Sequence, residues 1–100
     1  MAFDMYLGER REKIDYHEEF IFELIEDEMM YPELSLIWRD FYGKPIISPE
    51  QSNRLIHELI MLHEKSNLSQ NKIFTQLILR LLQFFSAAYM SDREIRCAGD

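Results

Sequence analysis

From Gln70 to about Met90 the sequence reads as one long helix with more apolar surface than a surface helix carries. Ile73, Phe74, Leu77, Ile78, Leu81, Leu82, Phe84, Phe85, Ala88 and Tyr89 cover more than half of its circumference at about 100° per residue. Such a helix needs contacts on several sides, so the rest of the chain has to pack around it. The apolar run Leu77 to Leu79 would also start a strand, but the long periodic pattern around it favours helix. With 100 residues, the chain has length for one domain, residues 1–100, with one modest core.

The segments that would surround this helix also read as helical. Ser48-Pro49-Glu50-Gln51 is the clearest local signal: Ser48 as N-cap, Pro49 at N1 and Gln51 at N3 form a capping box. The helix it opens carries Leu55, Ile56, Leu59, Ile60, Leu62 and His63 and ends near Ser66, before a tight turn at Ser66-Asn67-Leu68-Ser69. Pro32 suits the first turn of a shorter helix reaching about Tyr42, with Leu34, Ile37, Trp38 and Phe41 on one face and Gly43 as its stop. From Arg10 to about Met30, Ile14, His17, Ile21, Leu24 and Ile25 share an arc, and Glu12, Asp15, Glu19, Glu23 and Glu26 lie opposite. Met1 to Gly8 reads as irregular, with Phe3, Met5 and Tyr6 or Leu7 tacked onto the core. Ser91 to Asp100 suits either a short helix capped by Ser91 and Glu94 or an extended segment with Ile95 and Cys97. The expected fold class is all-α: an irregular antiparallel bundle of four main helices, with a short fifth at the C-terminus as an option.

No recognisable chemistry stands out. His57-Glu58 has Met61, and His17-Glu18 has Ile21, where a zinc helix needs its second histidine. No Glu-x-x-His pair of the di-iron type is present. Cys97 is single, so it makes neither an internal disulfide nor a cysteine cluster. Gly8, Gly43 and Gly99 are isolated, which excludes a glycine-rich phosphate loop. The expectation is no enzyme, no catalytic residues, no metal and no cofactor. Asp4 stands where a signal peptide carries positive charge. The longest charge-free run, Leu81 to Ser91, falls short of the roughly 20 residues of a membrane span. A cytoplasmic protein without a membrane partner is expected.

Charge is the feature above background. The net charge is −7, from 18 acids and 11 bases, which argues against direct nucleic-acid binding. Residues 1–50 hold 13 acids against 5 bases, a balance of −8; residues 51–100 hold 5 against 6, a balance of +1. Glu18, Glu19, Glu23, Glu26, Asp27 and Glu28 follow one another without a base. Like charges four apart cost a helix a few tenths of a kcal/mol each, and acids at a helix C-terminus oppose its dipole. Folding therefore does not ask for this row. It is either a solubilising face or a docking surface for a basic protein. Glu19, Glu23, Glu26 and Asp27 are the candidate partner-binding residues. Tyr31 and Tyr42 join them as exposed hot-spot candidates, or else are packed tyrosines with wet hydroxyls. Trp38 reads as core.

Ala2-Phe3-Asp4-Met5-Tyr6-Leu7, Ile46-Ile47-Ser48-Pro49-Glu50-Gln51-Ser52 and Ile95-Arg96-Cys97, together with the small size and acid-rich first helix, resemble small all-helical immunity proteins of bacterial contact-dependent growth inhibition and related polymorphic toxin systems. The resemblance implies a cytoplasmic antidote that binds a cognate toxin domain and covers its active site or substrate groove. Such toxins are often nucleases with basic grooves, which an acidic helix would occupy in place of nucleic acid. The competing expectation is a homo-oligomeric structural or adaptor protein, a homodimer with Phe84, Phe85 or Tyr89 at its seam.

Overall fold

The computed structural model describes residues 2–68 and 70–99, and it opens with a strand. In β1 (Ala2–Leu7), Phe3, Met5 and Leu7 alternate with Asp4 and Tyr6, so one face is buried. Gly8 and Glu9 form the turn; Gly8 carries a φ of +60°, which glycine adopts without steric cost. β2 (Arg10–Asp15) returns antiparallel, with Leu7 opposite Arg10 and Ala2 opposite Asp15. It is an edge strand that fully buries only Ile14, and its charged residues protect the open edge.

A 3-10 helix, Tyr16–Leu24, follows without a break. The Asp15 side chain accepts from its first turn, and the Asp15 N–H donates to Glu18 Oε1 at 2.9 Å, closing a capping box. α1 (Pro32–Arg39), β3 (Ile46–Ile47), α2 (Pro49–Lys65), α3 (Lys72–Met90) and β4 (Ile95–Gly99) complete the chain. The antiparallel sheet has the order β2-β1-β4-β3, so the first and last strands pair at its centre. α2 and α3 pack together, and buried residues from all four strands join theirs in one apolar cluster. Ser48 and Gln51 cap α2 as expected, at 2.9 and 3.1 Å. Asn71 caps α3 through the Phe74 N–H. α3 ends in a Schellman motif: Arg93 N–H reaches Ala88 O and Asp92 N–H reaches Tyr89 O, with Asp92 at φ 55°. By length and composition α3 is apolar enough to cross a membrane, and here its Phe74, Leu77, Leu81, Phe84 and Phe85 lie in the core.

The fold is thus mixed α/β, and the all-α expectation is wrong. With it goes the resemblance to all-helical immunity proteins, because the quoted segments at both ends and part of Ile46–Ser52 are strands. The expected helix from Arg10 to Met30 is an edge strand, a 3-10 helix and a turn. A 3-10 helix has three residues per turn, which brings Glu18, Ile21 and Leu24 into line. His17, expected on the apolar arc, is exposed. The chain leaves the helix at Ile25 in extended conformation, so the acids that would oppose a helix dipole are not at a long helix's end. The N-terminal segment is regular, and the tail is a strand without a fifth helix before Gly99. Ser69 and Asp100 lie outside the described residues.

Candidate functional site

Two groups of acids in this chain stand out. One group holds the fold together. Asp4 meets Arg11 at 3.1 Å, Asp15 meets Lys13 at 3.3 Å, and Glu33 meets Arg54 at 2.9 Å. Arg80 of α3 reaches Glu12 at 3.2 Å and Glu18 at 2.8 Å, and also donates to the Lys13 carbonyl. Burial raises the Glu18 carboxyl, but the Arg80 guanidinium and the Asp15 N–H outweigh it and hold it below the usual carboxylate range. Glu58 of α2 is buried against the start of α1, where its carboxylate accepts the N–H groups of Glu33 and Leu34. Burial pushes the Glu58 carboxyl up, more than those donors lower it.

The second group is Glu19, Glu23, Glu26, Asp27 and Glu28. Among the described residues none of the five has an ion-pair partner. Glu19 is half-buried on the 3-10 helix, and its Oε2 has no hydrogen bond. Glu23, Glu26, Asp27 and Glu28 are exposed. The Asp27 side chain accepts from the Met29 N–H at 3.0 Å, and Tyr31 N–H donates to Glu28 O at 3.2 Å, which fixes the turn into α1.

A pocket of about 380 Å³ opens beside this turn. Glu23, Leu24, Glu26, Asp27, Met30 and Tyr31 form one wall, and Leu62, Lys65, Ser66 and Asn67 at the end of α2 form the other. Four of the six residues expected at a partner site, Glu23, Glu26, Asp27 and Tyr31, therefore share one cavity. Glu19 does not line it. Tyr42 lies apart, 59% exposed in the turn after α1 and edge-on to Phe41. Tyr31 takes the packed alternative: it is only 5% exposed. Burial, then the charges of Glu26 and Glu58, push its phenol up. The facing wall from α2 was not anticipated, and nothing local in residues 62–67 signals it.

Trp38, expected in the core, is 45% exposed and stacks on Phe22 at 4.8 Å. Phe84 and Phe85 are fully buried and cannot form a seam, whereas Tyr89 is half exposed. A second, apolar groove of about 300 Å³ runs between α2 and α3 along Ile60, His63, Ile78, Leu79 and Leu82. His63 stacks flat on Phe74 at 5.6 Å, and His17 and His57 are exposed. Among the described residues no group of three or more His, Cys, Asp or Glu could hold a metal ion. Burial pushes the Cys97 thiol up to about 12, far from an activated thiolate.

Comparison with family models, curated proteins and solved structures finds no match to this chain.

Proposed function

We propose that the chain is a cytoplasmic binding protein that docks a basic protein through the unpaired acids of residues 19–28. One observation carries the reading. Every base that meets an acid in this fold is placed on Asp4, Glu12, Asp15, Glu18 or Glu33, and the 19–28 row is left without any among the described residues. Among the described residues Glu9, Asp40, Glu50, Glu64, Asp92 and Glu94 are also without an ion pair but lie scattered along the chain, whereas the row sets five unpaired acids within ten residues, and that density supports recognition between molecules over support of the fold. A complementary basic surface would be steered toward it and oriented by it. Exposed Trp38 and Tyr42, both against Phe41, supply aromatic contact area of the kind that anchors interfaces. The partner class that fits is a toxin domain with a basic nucleic-acid groove, which this protein would cover as an antidote.

The test is co-expression with the product of the adjacent gene, then titration calorimetry at rising ionic strength. The expected result is a complex that weakens with salt and with the triple reversal Glu19→Lys/Glu23→Lys/Glu26→Lys. A complex indifferent to both, or no complex, overturns the reading.

The apolar groove between α2 and α3, with Ile60 43% and Leu79 54% exposed along it, favours a second reading: a homo-oligomeric adaptor that pairs these helices. Light scattering that shows a monomer at high concentration would remove it.

A further inference from the structure

Trp38 is the one tryptophan of the chain, and it stands half out of α1. Its ring stacks on Phe22 of the 3-10 helix, with centroids 4.8 Å apart and planes 21° from parallel. Phe41 meets it at 5.4 Å, tilted by 59°. These contacts hold the indole in place and cover one of its faces, and 45% of the residue still meets solvent. Among the described residues the one cation set over a ring is Arg11 over Tyr6, at 5.7 Å, so the open face of Trp38 carries none. Tryptophan is the side chain that attracts a cation to its face most strongly.

The charges around this stack narrow the ligand. Three residues per turn put Glu19 in line with Phe22, one turn away, about 6 Å along the axis. Glu19 has no ion-pair partner among the described residues, and its Oε2 is buried without a hydrogen bond. A buried acceptor normally has a partner, and none of the described residues supplies one here. Glu23 follows Phe22 directly, exposed and likewise unpaired. The open ring is an observation of packing and the uncompensated acids are one of charge, and the two meet at Phe22. A cation satisfies both. Guanidinium does so better than ammonium: it is planar, more weakly hydrated, and stacks on aromatic faces, so it would continue the Phe22–Trp38 stack.

We propose that Trp38 anchors an arginine side chain of a basic protein partner, its guanidinium stacked on the open face of the indole in the field of Glu19 and Glu23. The proposal rests on the docking reading above and adds its specificity. The acids attract any base, and Trp38 supplies a preference for arginine over lysine.

The experiment titrates the full chain with two peptides of equal charge, hexa-arginine and hexa-lysine. Trp38 emission reports on the site directly, because the chain has no other tryptophan. Hexa-arginine is expected to change that emission saturably and to bind more tightly than hexa-lysine by calorimetry. Trp38→Phe keeps a ring against Phe22 with a weaker pull on cations, and Trp38→Leu removes the ring. Both should weaken hexa-arginine, Trp38→Leu more than Trp38→Phe and by roughly two- to fivefold, and both should affect hexa-lysine less. Glu19→Gln keeps the side chain's shape and should weaken the two peptides alike, by roughly twofold. Unchanged Trp38 emission at saturation, or an arginine preference that survives Trp38→Leu, overturns the proposal and leaves the docking reading to the partner titration. Failure of both peptides to bind overturns it as well. An arginine preference that depends on Trp38, beside no salt-sensitive complex with a protein, keeps the arginine site and removes the docking reading instead.

Discussion

The Glu58 carboxylate of α2 accepts the Leu34 N–H at 3.0 Å, so the short helix α1 takes its N-terminal cap from another helix. Tyr31, its own N-cap residue, contributes no side-chain cap. Glu58→Ala leaves buried N–H groups without a partner and is expected to cost about 2 kcal/mol. Glu58→Gln keeps an acceptor and costs less. Urea unfolding of both variants checks the order. Because the folded state raises the Glu58 pKa, folding takes up protons between the unfolded and folded values. The wild type should therefore lose stability relative to Glu58→Gln as pH rises through that window. A relative gain with rising pH would contradict the assignment.

Glu18 predicts the opposite slope. Its folded pKa lies below the unfolded one, so its contribution is present above the usual carboxylate range and is lost as pH falls through the folded value. Stability measured on the acid side of neutrality should fall less steeply in Glu18→Gln than in wild type. Arg80→Met leaves Glu18, 4% exposed, without its guanidinium. The loss is expected to be about 2 kcal/mol, below the range for a fully buried pair because Arg80 is partly solvated.

Gly99 lies where the last strand crosses the turn after α1. Its N–H donates to Gly43 O at 2.8 Å, and a Cβ on it would overlap the Phe41 carbonyl. Gly99→Ala is expected to destabilise by about 2 kcal/mol, as overpacking of backbone against backbone does. Gly43→Ala meets only the Asp40 carbonyl, at 3.4 Å, and should cost clearly less. Thermal melts of the pair test the contact.

Cys97 sits on β4, buried, with its thiol pushed up to about 12. Iodoacetamide at neutral pH should label it only as fast as the protein opens, and quickly in urea. Rapid labelling of the native state would contradict its burial.

The parts of the fold legible in the sequence are those fixed by neighbours in the chain. Ser48 and Gln51 cap α2 through groups three residues apart, and the apolar circumference of α3 requires no partner to be recognised. The sheet was not legible, because its central pairing joins Phe3 to Gly99 and Met5 to Cys97, at opposite ends of the chain. The alternation of Phe3, Met5 and Leu7 is present in the sequence, yet six residues alone do not distinguish a strand from an irregular arm. Arg10 to Lys13 carry charge because they lie on an edge, and that charge imitates the polar face of a helix. At the site, the acid row shows as local excess in the sequence. Leu62 to Asn67 face it only through the packing of α2, which no local spacing encodes.

The central claim is that residues 19–28 serve recognition rather than folding. The direct measurement pairs stability with affinity in one variant, Glu23→Gln/Glu26→Gln/Asp27→Asn. The asparagine keeps an acceptor for the Met29 N–H. Without the mutual repulsion of like charges, its melting temperature should equal or exceed that of wild type. Its affinity for a basic protein partner should fall at least about tenfold at low salt. A variant that loses stability and keeps its affinity would contradict the claim.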